Sequence, residues 1–440
     1  MKKSKVLIWS ITVALGGFLF GFDTAVISGA EKAIQALWDL SPVAHGFTVS
    51  IALIGTVIGA MLGGIPTDRF GRKKVLIWIA ILYLISALGS ALAMDWYSFI
   101  AFRFLGGLGV GASSVAAPLY ISEISPARSR GKMVGLFQFN VVFGILIAYF
   151  SNYFMQGLGD NAWRWMLGIE ALPSIVFLVA LLYVPESPRW LVVKKGMIDQ
   201  ARHILQRIDE ANSEQILQDI LRSSEATKAH PKARLFSEQY KTPVSLAILF
   251  AVFNQVSGIN AIIYYSPRIF EMTGLGTKAA FLSSAGVGFV NFTFTLIAIN
   301  FIDRFGRRTL MAIGSVGLII TLALVARAFY IGDFSGVPLF LFLYIAFFAF
   351  SQGAVIWVFI SEIFPNEVRA HGQALGSFTH WIMAALIAFS FPIIAEYFGG
   401  GPTFTFFALM MVLQLIFVWR MMPETKGMSL EGVGKNIIQH

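Results

Sequence analysis

DRFGRKKV at Asp68–Val75 returns, 235 residues later, as DRFGRRTL at Asp303–Leu310. Two further pairs keep the same order: ISEISPARSRG (121–131) with ISEIFPNEVRAHG (360–372), and PESPRWL (185–191) with PETKG (423–427), at offsets of 239 and 238. A chain that echoes itself at one offset is built from a duplicated unit. What that unit is follows from the residues between the echoes.

Those residues are apolar. Of 440 residues, 57% are hydrophobic and only 13% charged, too few charges to cover the surface of a soluble protein of this length. Runs of about 20 apolar residues, each long enough to cross a hydrocarbon layer of ~30 Å, recur twelve times. They fall at 6–28, 47–66, 75–94, 98–119, 132–153, 163–184, 244–265, 279–302, 309–331, 337–360, 372–395 and 402–421. The expectation is an all-α membrane protein with twelve transmembrane helices. In each half the first motif lies between the second and third spans, the second between the fourth and fifth, and the third after the sixth. Six spans thus make one repeat, both copies in the same orientation. Parallel repeats of this kind place a solute site between the halves near the midplane.

The spacing predicts a first bundle over 1–184, a linker over 185–243, a second bundle over 244–422 and a tail over 423–440. The linker is polar, and MIDQARHILQRI and SEQILQDILRS within it have helical periodicity, so short helices are expected there. MKKSK before the first apolar run resembles the start of a signal peptide, but the run is long for one and no A-x-A site follows. A retained span is expected.

The net charge of +9 reads as topology and calls for no nucleic acid. With the N-terminus inside, the loops and termini of that side hold 27 Lys and Arg, against five on the other side, and Arg103 lies within a span. That bias predicts both termini in the cytoplasm and a multi-pass protein of the cell membrane. There is no cysteine, so disulfides and thiolate metal sites are excluded.

Asp23, in FLFGFDTAVISG (18–29), is a carboxylate in an apolar run, where an unpaired charge costs several kcal/mol. Opposite directions of the first and fourth spans put Asp23 and Arg103 each about five residues from the outer boundary, roughly 7–8 Å deep. Equal depth allows an ion pair, which would lower the desolvation cost of both. A static structural bridge is the plain alternative. The functional reading is a proton switch: protonated, Asp23 releases Arg103; deprotonated, it re-forms the pair. Glu170 lies in the sixth span, eight residues from its outer end.

The chain resembles, end to end, the sugar porters of the major facilitator superfamily. The resemblance is carried by GFDTAVISG, the loop Gly64–Arg72 with its DRFGR, PESPRWL, NQVSGINAIIYYS (254–266) and PETKG, in register. It implies alternating-access transport of a monosaccharide and no enzyme activity. Proton-coupled members carry aspartate at the place of Asp23, where passive ones carry a neutral residue such as asparagine. Glu170 matches the residue that tunes that aspartate. Symport follows as the expectation, with a passive sugar facilitator or a polyol porter as alternatives. Protons, the bilayer and a monosaccharide are the expected partners, no cofactor or metal is implied, and a monomer suffices.

A sugar has many hydroxyls and no charge, so its site needs amides that donate and accept, with aromatic faces for its C–H surfaces. Gln138, Asn254, Gln255, Asn260 and Asn291 are amides within apolar spans and match sugar-contacting positions of the family. Trp357 matches the tenth-span tryptophan, and Tyr264 and Tyr265 match the outer gate. Any one of these amides can instead be an interhelical bond worth ~1 kcal/mol. The sequence departs from the family at three places. Span ten reads GAVIW (353–357) without the usual prolines, so its break is expected to be weaker or moved to the glycine. His380, followed by Trp381, replaces an amide, and Ile145 stands where xylose porters have a second glutamine. At the cytoplasmic ends the resemblance and the charges imply a network of Asp68, Arg72, Glu123 and Arg130, mirrored by Arg307, Glu362 and Arg369.

Other classes lack their chemistry. GGLGVGASS (106–114) lies inside a span with no strand before it, and reads as small-residue helix packing. No G-x-x-x-x-G-K-[ST] and no H-E-x-x-H occurs, so ATP-driven transport and zinc proteolysis are not supported. A membrane-embedded enzyme would need a catalytic constellation, and none is found. A sugar receptor would have no use for Asp23.

Overall fold

A computed structural model of the chain describes residues 2–126, 130–229, 234–365 and 367–426; within its helices the side chains of 2–4, 130–131, 223–229, 299–300 and 303 are not described. Among the described residues the only regular structure is helical, because in a bilayer each backbone N–H and C=O must be bonded within its own segment. Twelve helical spans are long and apolar enough to cross: Lys5–Leu37, Pro42–Leu62, Arg72–Leu92, Trp96–Ile124, Lys132–Met155, Ala162–Leu182, Glu238–Tyr264, Thr277–Ala298, Arg307–Ile331, Val337–Glu362, Arg369–Phe398 and Gly400–Arg420. They are called spans 1 to 12 below. All twelve expected spans are present, and several overrun their apolar cores. Span 1 continues to Leu37, past Glu31 and Lys32, since hydropathy marks the apolar interior whereas the helix ends only where its hydrogen-bond ladder does.

The polar linker holds Ile198–Ile208 and Ser213–Ala229. Ala201, Ile204, Leu205 and Ile208 form the buried face of the first of these, as its periodicity predicts.

By packing, the described residues fall into two compact units. One comprises those of Met1–Thr24, Ile54–Ala148 and Arg164–Lys232; the other those of Ala25–Leu53, Tyr149–Trp163 and Ala233–His440. Trp9, Leu76, Tyr83, Phe99, Tyr120 and Phe177 are buried in the first. In the second, Phe250, Phe359, Phe364 and Phe417 centre an aromatic core.

The two DRFGR echoes have one structural reason. Gly71 separates Gly64–Phe70 from span 3 with φ 105°, and Gly306 separates Thr277–Phe305 from span 9 with φ 88°. A side chain is strained at such angles. A Cβ on Gly71 would also strike the Glu186 carboxylate, and one on Gly306 the Glu424 carboxylate. Glycine is required at both bends twice over. The span-4 glycines serve packing: a Cβ on Gly111 would strike the Thr56 carbonyl of span 2, and one on Gly106 the Ser86 hydroxyl of span 3.

Candidate functional site

Three buried ionisable side chains meet in the first unit. The Arg103 guanidinium donates to Asp23 Oδ1 at 2.5 Å, to Oδ2 at 3.4 Å and to the Asp23 carbonyl at 3.3 Å. Asp23, Arg103 and Glu170 are each 2% exposed, so no bulk water screens them. The Glu170 carboxyl lies beside Asp23, at the turn where span 6 breaks between Gly168 and Ala171. Its Oε1 has no hydrogen-bond partner among the described residues. Gly106 makes room here: a Cβ on it would lie 3.6 Å from Asp23 Oδ1. Two carboxyls share one guanidinium, so only one negative charge can be balanced.

The second unit holds an uncharged counterpart. Span 7 is interrupted between Val256 and Ile259, where Gly258 takes φ 88° and a Cβ would strike the Phe407 ring. The interruption brings amides of both helical pieces together. Gln255 donates to Asn254 Oδ1 at 2.8 Å, Asn260 donates to Gln255 Oε1 at 2.6 Å, and Asn254 donates to the Gln352 carbonyl at 3.4 Å. Gln255 Nε2 lies 3.3 Å from both ring nitrogens of His380. The His380 ring centroid is 4.9 Å from that of Trp357 and 4.8 Å from that of Trp381. Six of the expected residues therefore form one patch of donors, acceptors and aromatic faces, with no formal carboxylate or ammonium among them.

Asn291 is buried in span 8 and is not hydrogen-bonded to that patch. Gln138 is half-buried in span 5, in the first unit. Tyr264 and Tyr265 are buried; Tyr265 donates to the Ala388 carbonyl at 2.8 Å and packs against Phe391. Ile145 is buried, a methyl-bearing surface where an amide would have bonded. Span 10 does break despite its missing prolines, at Ser351 rather than at Gly353. Val337–Phe350 ends there, Gln352–Glu362 begins, and the Ser351 hydroxyl bonds the Phe347 carbonyl. The Ser351 backbone leaves helical values there, at φ −113° and ψ −90°, while its own N–H still reaches the Phe347 carbonyl at 3.2 Å.

The charged ends repeat nearly atom for atom. Arg72 grips Glu123 through Nε and a terminal nitrogen, both at 2.9 Å, and reaches Asp68 at 3.2 Å. Arg307 grips Glu362 in the same fork at 3.1 and 2.7 Å. Arg369 donates to the Phe364 carbonyl; the Arg130 side chain lies outside the described residues. Two further acids complete the sets. Glu186 accepts from the backbone N–H of Arg72 and Lys73, and Glu424 from those of Arg307 and Arg308. Ser187 bonds Glu123, and Thr425 bonds Glu362. The expected network omitted Glu186 and Glu424, although the PES and PET echoes carried the signal. Burial pushes the Glu186 carboxyl above the ordinary carboxylate range, against the pull of the N–H groups of Ser187, Lys73 and Arg72.

This arrangement has relatives. The family described as "Sugar (and other) transporter" matches residues 9–436. The chain belongs to that family. It is a transporter and not an enzyme. The transporter is 39% identical over 439 residues to the arabinose-proton symporter of Bacillus subtilis (strain 168), covering 98% of this chain and 94% of the relative. It is 37% identical over 467 aligned residues to the D-xylose-proton symporter of Escherichia coli (strain K12), covering 96% and 94%. Its fold matches a partially occluded inward-open structure of the xylose transporter XylE from E. coli with a TM-score of 0.86 at 34% identity. That match covers 97% of the transporter and all of the XylE chain. The resemblance to the sugar porters of the major facilitator superfamily, and the twelve-helix membrane fold it implied, are thus borne out.

Proposed function

We propose that this transporter carries a monosaccharide across the cell membrane together with a proton, by alternating access, as a monomer with both termini in the cytoplasm. Asp23, Arg103 and Glu170 form the proton site. Gln138, Asn254, Gln255, Asn260, Asn291, Trp357, His380 and Trp381 form the sugar site, and Tyr264 and Tyr265 the outer gate. The two six-span bundles are 1–184 and 244–422, joined by 185–243 and followed by the tail 423–440.

One observation carries the reading: a buried carboxylate–guanidinium pair with a second buried carboxyl against it. A passive carrier gains nothing from that set, whose burial costs several kcal/mol before pairing. Protonation of Asp23 frees Arg103 and weakens the bond between spans 1 and 4, while the patch around Gln255 reads hydroxyls. The printed names of the two relatives, a symporter of arabinose and one of D-xylose, support the same class of cargo. The Arg72–Glu123 and Arg307–Glu362 forks bias the two-state equilibrium at the cytoplasmic ends, where small differences suffice.

The test is uptake of labelled pentoses, hexoses and polyols into proteoliposomes, with and without an imposed pH gradient. Symport predicts accumulation above the external concentration only with the gradient, and proton entry on sugar addition. Uptake that stops at equal concentrations in both conditions would sink the proposal in favour of facilitation.

A further inference from the structure

A second buried ionic cluster lies wholly within the second unit, at the Leu37 end of span 1. Glu31, in the last turns of span 1, is 1% exposed. Arg268, on the short helix Ser266–Met272 after span 7, holds its carboxylate as a fork, Nε to Oε1 at 2.9 Å and a terminal nitrogen to Oε2 at 2.7 Å. The same guanidinium donates to Gln35 one turn further on. His45, from the start of span 2 and fully buried, sets its Nε2 2.7 Å from Glu31 Oε2. Three elements distant in sequence thus close on one carboxylate. The carboxylate meets one guanidinium, with the imidazole beside it. The other charges nearby are Lys32 and Glu271, which pair with each other at the surface, and Asp39.

The cluster sits on a joint. Tyr265 ends the helix Ile259–Tyr264 and begins Ser266–Met272, so it is the bend between two helices of six and seven residues. Its ring centroid is 6.0 Å from that of His45, and Arg268 follows it by one turn. Helices this short have little stability of their own. What fixes the second one is what its side chains hold, and the strongest of those contacts is the Arg268–Glu31 fork. A cavity of about 550 Å³ lined by Lys32, Gln35, Asp39, Arg268 and Glu271 lies against the guanidinium, so the cation has water to move into if the fork opens.

We propose that Glu31 is a positioning residue for the outer gate: gripped by Arg268 and His45, its carboxylate holds the joint at Tyr265 closed, and its release is a step in turning the sugar pocket outward. Glu31 acts through Tyr265 and touches no sugar. The inference rests on the reading that this end faces outside and that the transporter alternates.

The chain has no cysteine, so one introduced thiol reports alone. Ser28→Cys in span 1 and Ser266→Cys at the joint are near-isosteric and buried, 2% and 1% exposed, on either side of the fork. In oriented membranes, an impermeant maleimide added outside should label both parents slowly. Glu31→Gln and Arg268→Gln should speed labelling about tenfold or more, because a buried pair broken on one side leaves a lone charge that favours the open state. Arg268→Lys, which keeps the charge and loses the fork, should fall between. Lys32→Gln, at an exposed pair, should stay within about twofold of the parent. The double variant Glu31→Gln with Arg268→Gln buries no lone charge and should still label faster, which guards against a single variant that fails to fold. In uptake, the same variants should lower KM for external sugar while turnover falls, as a shift toward an outward-facing state requires. Parent-like labelling in both the double variant and Arg268→Gln would overturn the proposal and leave Glu31 a packing residue. Faster labelling in a transporter that never accumulates sugar would sustain the latch and remove the symport reading.

Discussion

The interior of the first repeat and that of the second solve different problems with the same backbone plan. Around Asp23 the first sets two carboxyls against one guanidinium, all nearly inaccessible. Around Gln255 the second sets three amides, an imidazole and two indoles, with no carboxylate hydrogen-bonded among them. The loops between them hardly differ: Arg72 and Arg307, Glu123 and Glu362, Glu186 and Glu424, Gly71 and Gly306 play matching parts. Positions that stayed alike through the duplication are those that the bends and helix ends require. The positions that diverged are those to which the proposed function gives the chemistry. A charge is the right instrument for a proton and the wrong one for a neutral sugar, whose hydroxyls need partners that both give and accept.

On that division, the most damaging change to coupling should leave recognition alone. Asp23→Asn is expected to abolish proton-driven accumulation while sugar binding and exchange persist. The amide keeps the shape but cannot cycle a proton, and Arg103 loses its counter-charge. Accumulation ratios in proteoliposomes at fixed pH gradient, alongside equilibrium exchange, measure both sides. Full accumulation in the variant would end the assignment of the proton to the first repeat.

The converse change is smaller. Gln255→Ala removes the amide that joins Asn254, Asn260 and His380, and should weaken sugar binding by ~1–3 kcal/mol, the cost of leaving hydrogen-bonding groups unsatisfied. Coupling stoichiometry should not move. Binding by tryptophan fluorescence or calorimetry decides this; an unchanged dissociation constant would place the sugar elsewhere.

The finest test is at His380, buried between Trp357 and Trp381 with Gln255 at its edge. A neutral imidazole offers one donor and one acceptor, and glutamine offers two and one with more acceptor capacity. His380→Gln is therefore expected to reorder a panel of competing sugars by factors of a few, without touching accumulation. Competition at two pH values would show it. An identical ranking in parent and variant would make His380 a packing residue.

The break in span 10 shows why part of this was illegible in advance. The missing prolines predicted a weaker break or one at Gly353, but the backbone breaks two residues earlier, at Ser351, beside Gly314 of span 9, where a Cβ would strike the Ser351 hydroxyl. The same hydroxyl-to-carbonyl bond occurs at Ser315 and Thr321 inside the unbroken span 9, so nothing in the local sequence marks Ser351 as a break. The Arg268–Glu31–His45 cluster was hidden for a related reason: its members lie on three segments, none with a motif. Glu186 and Glu424 were visible in the repeated PES and PET, but their use as acceptors for the N–H groups after a glycine bend was not.

By itself the sequence determined the twelve spans, the duplication and the family, because apolar run length, charge bias and repeated motifs are properties of the chain read in order. It also placed Asp23 opposite Arg103, since depth along a helix of known rise can be counted from either end. The tertiary structure decided which amides share hydrogen bonds, that Glu170 lies against Asp23, and that Glu31 is held from two sides. Those depend on helix rotation and on how short helices bend at Gly258, Tyr265 and Ser351, which packing sets and residue spacing does not.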